Sequence, residues 1–163
     1  MNQVPSLIKL INKNKDLKED QVLLDFGAGR FTKTREYVET TSGTIYYPYD
    51  PYNLSNDVND AALARKYNVI MLSNVLNVVK EPQHRKDILN LCRLLLKPGG
   101  RLYIRTYQAP PSELYQSGDT PGQPTKKGTC WQNCQPLSYY LEEIEGVLPN
   151  VTIKKDYLIV TND

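Results

Sequence analysis

Apolar residues along this chain follow two alternating patterns. Short segments that are apolar almost throughout predict buried parallel strands, because a strand covered on both faces shows little polar alternation; they lie at 22–26, 44–49, 69–72 and 101–107. Longer segments with apolar residues three and four positions apart predict helices with one buried face; they lie at 6–14, 30–41, 81–97 and 136–148. Two short strand-like segments close the chain at 151–154 and 157–161.

This order of elements predicts an α/β fold with a doubly wound, Rossmann-like and mostly parallel sheet that ends in a C-terminal antiparallel hairpin. The second predicted strand contains Pro48. Proline cannot donate a hydrogen bond to a neighbouring strand, so we expect this strand near an edge of the sheet. A chain of 163 residues is the usual length of one domain, and we expect residues 1–163 to form a single domain.

The first predicted strand ends in an acid and a glycine turn. Asp25 is followed by Gly27-Ala28-Gly29, and a turn with few Cβ atoms lets main-chain groups approach a ligand closely. Asp50 ends the next strand, 21 residues after Gly29. An acid at about this distance can accept hydrogen bonds from both hydroxyls of a ribose. The two features together predict a cofactor that contains a nucleoside.

The glycine pattern differs from that of dinucleotide-binding proteins. Their fingerprint requires a third glycine at the position of Thr32, and it does not include an acid two residues before the first glycine. A nicotinamide- or flavin-dependent protein is therefore the weaker alternative.

Three motifs carry a resemblance to a known family. Asp25-x-Gly27-x-Gly29 resembles motif I of the class I S-adenosylmethionine-dependent methyltransferases. Asp50-Pro51 resembles their ribose-binding acid, and residues 96–102 resemble the segment that leads into their fifth strand. The motifs occur in the family's order over roughly residues 20–105. The segments 50–53 and 73–79 are more loosely similar to small methyltransferases of phage and mobile elements.

The resemblance implies S-adenosyl-L-methionine as the cofactor and methyl transfer to an acceptor as the activity. The residues that it implies for cofactor binding are Asp25, Gly27, Ala28, Gly29, Asp50, Pro51, Ser73 and Asn74. Asp25 would order the glycine loop and, through water, the methionine amino group. Methyl transfer from a sulfonium is an in-line displacement that depends on positioning and needs no protein nucleophile.

We predict Asn74 and Tyr107 as candidate catalytic residues, because both follow strands at the edge where cofactor and acceptor are expected to meet. For Asn74, capping of the following helix is an equally good interpretation. A non-catalytic S-adenosylmethionine-binding protein or partner subunit on the same fold is the alternative function.

The sequence departs from the family's pattern in two places. Phe31 stands where a third glycine is common, and only 16 residues separate Asp50 from Tyr67. That length is too short for a helix, a strand and a second helix, so we expect a shortened third-strand region. The acid that contacts the adenine amino group in the family then has three candidates, which are Asp57, Asn59 and Asp60.

Residues 109–133 are rich in proline and glycine and show little periodicity. Since a long loop within a domain is usually functional or disordered, we predict that residues 108–134 form a substrate loop. Trp131 and Tyr115 can stack on a planar acceptor, although core packing is the commoner position of a tryptophan. The sequence does not identify the acceptor, and a small molecule, a protein and a nucleic acid all fit.

Composition excludes several classes of protein. The net charge is +2 with basic residues dispersed among acids, unlike the clustered charge of a dedicated nucleic-acid binder. Cys92, Cys130, Cys134 and the single histidine, His84, do not form a recognisable zinc motif, and we expect no metal. No apolar run reaches the ~20 residues that cross a bilayer, and the first residues lack a secretory signal. We therefore expect a cytoplasmic protein without a membrane partner, and the oligomeric state is not predicted.

Overall fold

The computed structural model describes residues 3–107, 123–124, 131–133 and 135–163. The strands, in chain order, are β1 (Val22–Phe26), β2 (Ile45–Tyr49), β3 (Tyr67–Ser73), β4 (Leu96–Arg105), β5 (Gln123–Pro124), β6 (Trp131–Gln132), β7 (Val151–Ile153) and β8 (Leu158–Thr161). Six of them form one sheet in the order β2-β1-β3-β4-β8-β7, and β5 pairs with β6 separately. The strands β1 to β4 are parallel, whereas β8 and β7 join them as an antiparallel pair. The predicted sheet with its C-terminal hairpin is confirmed.

Helices cover both faces of this sheet. They are α1 (Ser6–Lys13), α2 (Thr34–Ser42), α3 (Asn56–Leu63), α4 (Pro82–Leu95) and α5 (Leu141–Glu145), with 3₁₀ helices at Leu76–Val78 and Leu137–Tyr140. One buried cluster joins α1 and α2 to the sheet, and the other joins α3, α4 and α5 to its opposite face. In β1, Leu23 belongs to the first cluster and Leu24 to the second. Asp25, two residues after Leu23, consequently faces the side of α1 and α2.

The region between β2 and β3 contains the helix α3 and no strand. Ser55 caps this helix by accepting a hydrogen bond from the main-chain nitrogen of Val58. The shortened third-strand region is therefore confirmed, and β2 forms an edge of the sheet, as Pro48 predicts.

Two helices start later or are less regular than their patterns predict. The helix expected from residue 30 begins at Thr34, because Arg30 belongs to the loop and its Nε donates to Asn53 Oδ1 at 3.0 Å. The helix expected over 136–148 is a 3₁₀ turn followed by the five-residue α5. The fourth strand starts at Leu96, directly after α4, and not at residue 101.

The strand order reverses between β1 and β3. The chain passes from β1 to β2 on one side and later returns to β3 on the other, with Phe26 in register with both Tyr49 and Leu72. The carboxyl ends of the three strands therefore lie side by side. In open α/β sheets, a ligand crevice forms outside the strand ends at such a reversal.

Candidate functional site

The glycine turn after β1 is bonded to the end of β2. The main-chain nitrogens of Gly27 and Ala28 both donate to the carbonyl oxygen of Tyr49, at 2.7 and 3.1 Å. Gly27 has a φ of +81°, and a Cβ atom there would lie 2.5 Å from Cγ2 of Val75. Glycine is required at this position by backbone conformation and by space, so the turn presents bare main chain to the crevice.

Asp50 is a buried carboxylate that is held by the loop around it. Its Oδ2 accepts from the main-chain nitrogen of Gly29 at 2.8 Å and from Asn53 Nδ2 at 3.0 Å. Its Oδ1 accepts from the main-chain nitrogens of Tyr52 and Asn53, at 2.9 and 3.1 Å. A carboxylate offers about four acceptor positions. A ribose hydroxyl at Asp50 would therefore replace the side-chain amide of Asn53, the one donor here that can rotate away.

Asn59 fixes the main chain of Asp50. The Oδ1 atom of Asn59 accepts from the main-chain nitrogen of Asp50 at 2.8 Å, and its Nδ2 donates to the carbonyl oxygen of Asp50 at 3.1 Å. Of the three candidates for the adenine amino group, Asn59 is thus committed to a structural role. Asp57 and Asp60 are exposed on α3 and line neither of the two cavities described below.

Asp25 lies at the end of β1 with only 2% of its surface exposed. Its Oδ2 accepts a hydrogen bond from the hydroxyl of Tyr46 at 2.7 Å. Burial raises the pKa of Asp25 to about 7; the hydrogen bond from Tyr46 opposes this shift and the charge of Asp50 adds to it. Asp25 is therefore a carboxyl group that takes up or loses a proton near neutral pH, beside a cavity.

Two cavities meet at Gly27 and Asn74. The first, about 450 Å³, is lined on one side by residues 3–6 and contains Asp25, Ala28 and Ser73. The second, about 720 Å³, contains Asp50 and Pro51. Both volumes are in the range of small-molecule sites. Of the residues predicted for cofactor binding, the structure places all but Gly29 on the walls of these two cavities, while the main-chain nitrogen of Gly29 donates to Asp50.

Asn74 forms part of the wall that the two cavities share. It has a φ of +58°, a left-handed conformation that asparagine tolerates better than most residues, and its main-chain nitrogen donates to the carbonyl oxygen of Arg105 at 2.8 Å. The following 3₁₀ helix has Val75 at its N-cap and no side-chain capping bond, so the capping interpretation of Asn74 is wrong. Tyr107 is 44% exposed and lines neither cavity.

Sequence reasoning missed the contribution of α4 to the larger cavity. His84, Asp87, Ile88 and Leu91 all line it. Their spacing of three, four and seven residues places them on one helix face, and this spacing is visible in the sequence. The apolar pattern over 81–97 predicts one buried helix face, whereas Ile88 and Leu91 on that face are partly buried and pack against the core cluster.

Arg85 holds the wall of the larger cavity from behind. Its guanidinium donates to the carbonyl oxygens of Val79 and Lys80, both at 2.9 Å, and forms two bonds to Glu143 at 2.8 and 2.6 Å. Arg85 is 3% exposed, and bidentate pairing of this kind combines strength with fixed geometry. No sequence pattern distinguishes this arginine from a surface residue.

Other predictions fall partly outside the described residues. Tyr115, Cys130, Cys134 and most of the predicted loop 108–134 lie there. Trp131 is partly buried, with Lys80 Nζ 4.9 Å from the centre of its ring.

Among the residues that the structure describes, no group of three or more His, Cys, Asp or Glu side chains is arranged to hold a metal ion. Within the same residues, no helix has the length and apolar character needed to span a bilayer.

Known structures share this fold. Streptomyces venezuelae DesVI is 12% identical, with a TM-score of 0.62 over 96% of this chain and 90% of its own. The glycopeptide N-methyltransferase MtfA, in complex with S-adenosyl-L-homocysteine, is 13% identical, with a TM-score of 0.60 over 98% of this chain and 90% of its own. This chain spans only 44% and 65% of two other matching structures.

At the level of sequence, no curated protein matches this chain. The family described as "Methyltransferase domain" matches residues 3–139, which include the glycine turn, both aspartates and the whole of α4. The chain therefore belongs to the methyltransferase-domain family.

Proposed function

We propose that this protein transfers the methyl group of S-adenosyl-L-methionine to an acceptor. One observation carries the proposal. In a chain of the methyltransferase-domain family, the bare main chain of Gly27 and the carboxylate of Asp50 stand at the ends of neighbouring strands, on the walls of a common crevice. A nucleoside needs this combination of close main-chain approach and a fixed acceptor for its ribose.

The two cavities fit the two halves of such a cofactor. Asp50 would accept from a ribose hydroxyl in the larger cavity, in place of the Asn53 amide, and Pro51 would border the nucleoside there. Asp25 would face the methionine amino group in the smaller cavity, where a carboxylate and an ammonium group stabilise each other's charge. The reacting sulfonium would then lie at the wall shared by Gly27 and Asn74.

The chain's contribution to the chemistry is positioning. The bound cofactor supplies a methyl group on a positively charged sulfur. Gly27 has no Cβ because Val75 occupies that space, and its main chain lines both cavities. Asn74 offers an amide that can orient an acceptor. Orientation of this kind is the main requirement of an in-line displacement. The assignment of Asn74 is part of the proposal; Tyr107 stays a prediction of the sequence.

A related fold supports the choice of cofactor. MtfA has been crystallised with S-adenosyl-L-homocysteine and with sinefungin. The proposal allows three kinds of methyl acceptor: a small molecule, a protein or a nucleic acid. The second candidate function is a non-catalytic S-adenosylmethionine-binding subunit, which the absence of a strand between Asp50 and Tyr67 favours.

The test is transfer of a labelled methyl group. The full chain is incubated with tritiated S-adenosylmethionine and a cell extract, and label is counted in the nucleic-acid, protein and metabolite fractions. We expect protein-dependent label in one fraction, its loss with Asp50→Ala, and no loss with Asp60→Ala, which changes an exposed acid on α3. Binding of the cofactor without label in any fraction would support the non-catalytic alternative. Tighter binding of a nicotinamide or flavin dinucleotide would overturn both.

A further inference from the structure

The position of the base follows from the two cavities, and this step rests on the proposed function. If Asp50 binds the ribose and Asp25 faces the amino acid, the adenine must extend into the larger cavity, away from Asp25. Adenine has flat apolar faces and a polar edge with an exocyclic amino donor. A polar edge that is taken out of water requires a hydrogen-bond partner, because an unpaired buried donor is costly.

The sheet does not supply this partner. No strand stands between Asp50 and Tyr67, Asn59 is committed to the main chain of Asp50, and Asp57 and Asp60 do not line the cavity. The carboxylate of Asp50 already accepts four hydrogen bonds. Of the two side-chain amides on the cavity wall, Asn53 accepts from Arg30 Nε through its Oδ1, and Asn74 lies on the wall shared with the smaller cavity. The remaining carboxylates, Glu81 and Asp87, lie on another wall.

The helix α4 forms that wall and carries a suitable pattern. His84 and Asp87 lie one turn before Ile88 and Leu91 on the same helix face, and all four line the cavity. The face thus divides into a polar pair and an apolar pair. A flat base can lie against the apolar pair while its polar edge meets the polar pair.

Asp87 is an exposed acid on this face that bonds to a neighbouring side chain and still has capacity to accept. Its Oδ1 accepts from Gln83 Nε2 at 2.8 Å. Among the described residues, no hydrogen bond reaches Oδ2. Glu81, the other acid on this side of the cavity, precedes the first turn of α4 and makes no capping bond. It lies farther along the helix from Ile88 and Leu91 than Asp87 does.

We infer that Asp87 accepts a hydrogen bond from the exocyclic amino group of the cofactor's adenine, and that His84 beside it contacts the same polar edge. In this protein a helix after β3 would thus take over base recognition from a strand that the fold lacks. Asp87 is then the residue that determines the choice of base.

The experiment compares two ligands that differ only at this edge. S-inosyl-L-homocysteine carries a carbonyl oxygen where S-adenosyl-L-homocysteine carries the amino group, and an N1–H donor where the adenosyl ligand has an N1 acceptor. A carboxylate accepts from the amino group but repels the carbonyl oxygen, whereas an amide can turn to donate to it. We expect the wild-type protein to prefer the adenosyl ligand by about tenfold or more in calorimetric titrations. Asp87→Asn should bind the two ligands with about equal affinity or prefer the inosyl ligand.

Two controls separate this inference from the proposed function. Asp60→Asn makes the same chemical change on an exposed site of α3 and should keep the wild-type preference. If wild-type protein binds the adenosyl ligand and Asp87→Asn keeps the full preference, the inference is wrong while the proposed function stands. Loss of the preference with Glu81→Gln and not with Asp87→Asn would also overturn it. If folded wild-type protein binds neither ligand, the proposed function itself fails.

Discussion

The ends of β1 and β2 each carry a buried aspartate, but the surroundings of these two residues differ. Asp50 accepts four hydrogen bonds, three of them from main-chain nitrogens of the loops on either side. Asp25 accepts one from the hydroxyl of Tyr46, and burial raises its pKa to about 7. Asp50 is thus part of the loop architecture, whereas Asp25 is a site whose charge depends on pH and on what binds next to it.

The difference suggests a division of tasks in the crevice. A ribose is neutral and needs a fixed acceptor, which a carboxylate held by main-chain donors provides. An ammonium group brings its own charge and stabilises a carboxylate that is otherwise poorly solvated. Neighbouring strand ends can therefore bind two chemically different groups with the same residue type.

The largest expected effect is that of Asp50→Ala. The change leaves the main-chain nitrogens of Gly29, Tyr52 and Asn53 without their acceptor, so we expect a loss of about 3–4 kcal/mol in the free energy of unfolding. Affinity for S-adenosylhomocysteine should fall by about 1–3 kcal/mol at conditions where the variant is folded. Urea unfolding and calorimetry measure the two effects, with Asp60→Ala as the matched control. Unchanged stability would show that the network around Asp50 is not structural.

Asp25→Asn should have a smaller effect that depends on pH. The pKa of Asp25 in the folded protein, about 7, lies above its unfolded value of 3.8. The protonated group therefore contributes its full stabilisation below about pH 4, and this contribution is lost as the pH rises to about 7. Between about pH 4 and 7, the free energy of unfolding of the wild type should fall by on the order of 1 kcal/mol per pH unit relative to that of Asp25→Asn.

The same variant should lose cofactor affinity while it gains relative stability at high pH. At pH 8 the wild type carries a buried charge that the asparagine lacks, so the ligand-free variant should be the more stable of the two. Its affinity for S-adenosylhomocysteine should nevertheless be lower, because the ammonium partner is gone. Urea unfolding from pH 4 to 8 measures the gain in stability, and calorimetry at pH 8 measures the loss of affinity. A parallel pH dependence in both proteins would mean that Asp25 does not titrate near neutrality.

Tyr46→Phe should give the smallest effect. It removes the hydrogen bond that the Tyr46 hydroxyl donates to Asp25, at a cost of about 1 kcal/mol when Asp25 is ionised. Because this bond lowers the pKa of Asp25, its loss should move the pH-dependent part of the stability curve to higher pH. In the Asp25→Asn background, Tyr46→Phe should leave no such pH shift. A shift that persists in that background would assign the titration to another group.

Much of this fold could be predicted because local patterns determine it. The apolar runs of β1 and β3 and the glycine turn after β1 need no long-range information. Pro48 placed β2 at an edge for a chemical reason, the missing donor. The spacing of Asp50 from Gly29 predicts that the two residues belong to one site, and the structure joins them directly by a hydrogen bond, with Asp50 but not Gly29 on the cavity wall.

The remaining features depend on contacts between distant segments. The sequence predicts no helix at 56–63 and offers Asn59 as an adenine contact, whereas α3 brings its amide to the main chain of Asp50. Arg85 becomes buried only because Glu143 and the carbonyl oxygens of residues 79 and 80 surround it. The cavity face of α4 resembled a core stripe, since apolar periodicity does not distinguish a packed face from one that lines a cavity.

The most direct test of the account is a calorimetric titration of the full chain with S-adenosyl-L-homocysteine, run in parallel on the wild type and Asp50→Ala. We expect uptake of one ligand per chain by the wild type, and about tenfold or greater weakening in the variant. Folded wild-type protein that takes up no ligand, or a variant that binds as tightly as the wild type, would contradict it.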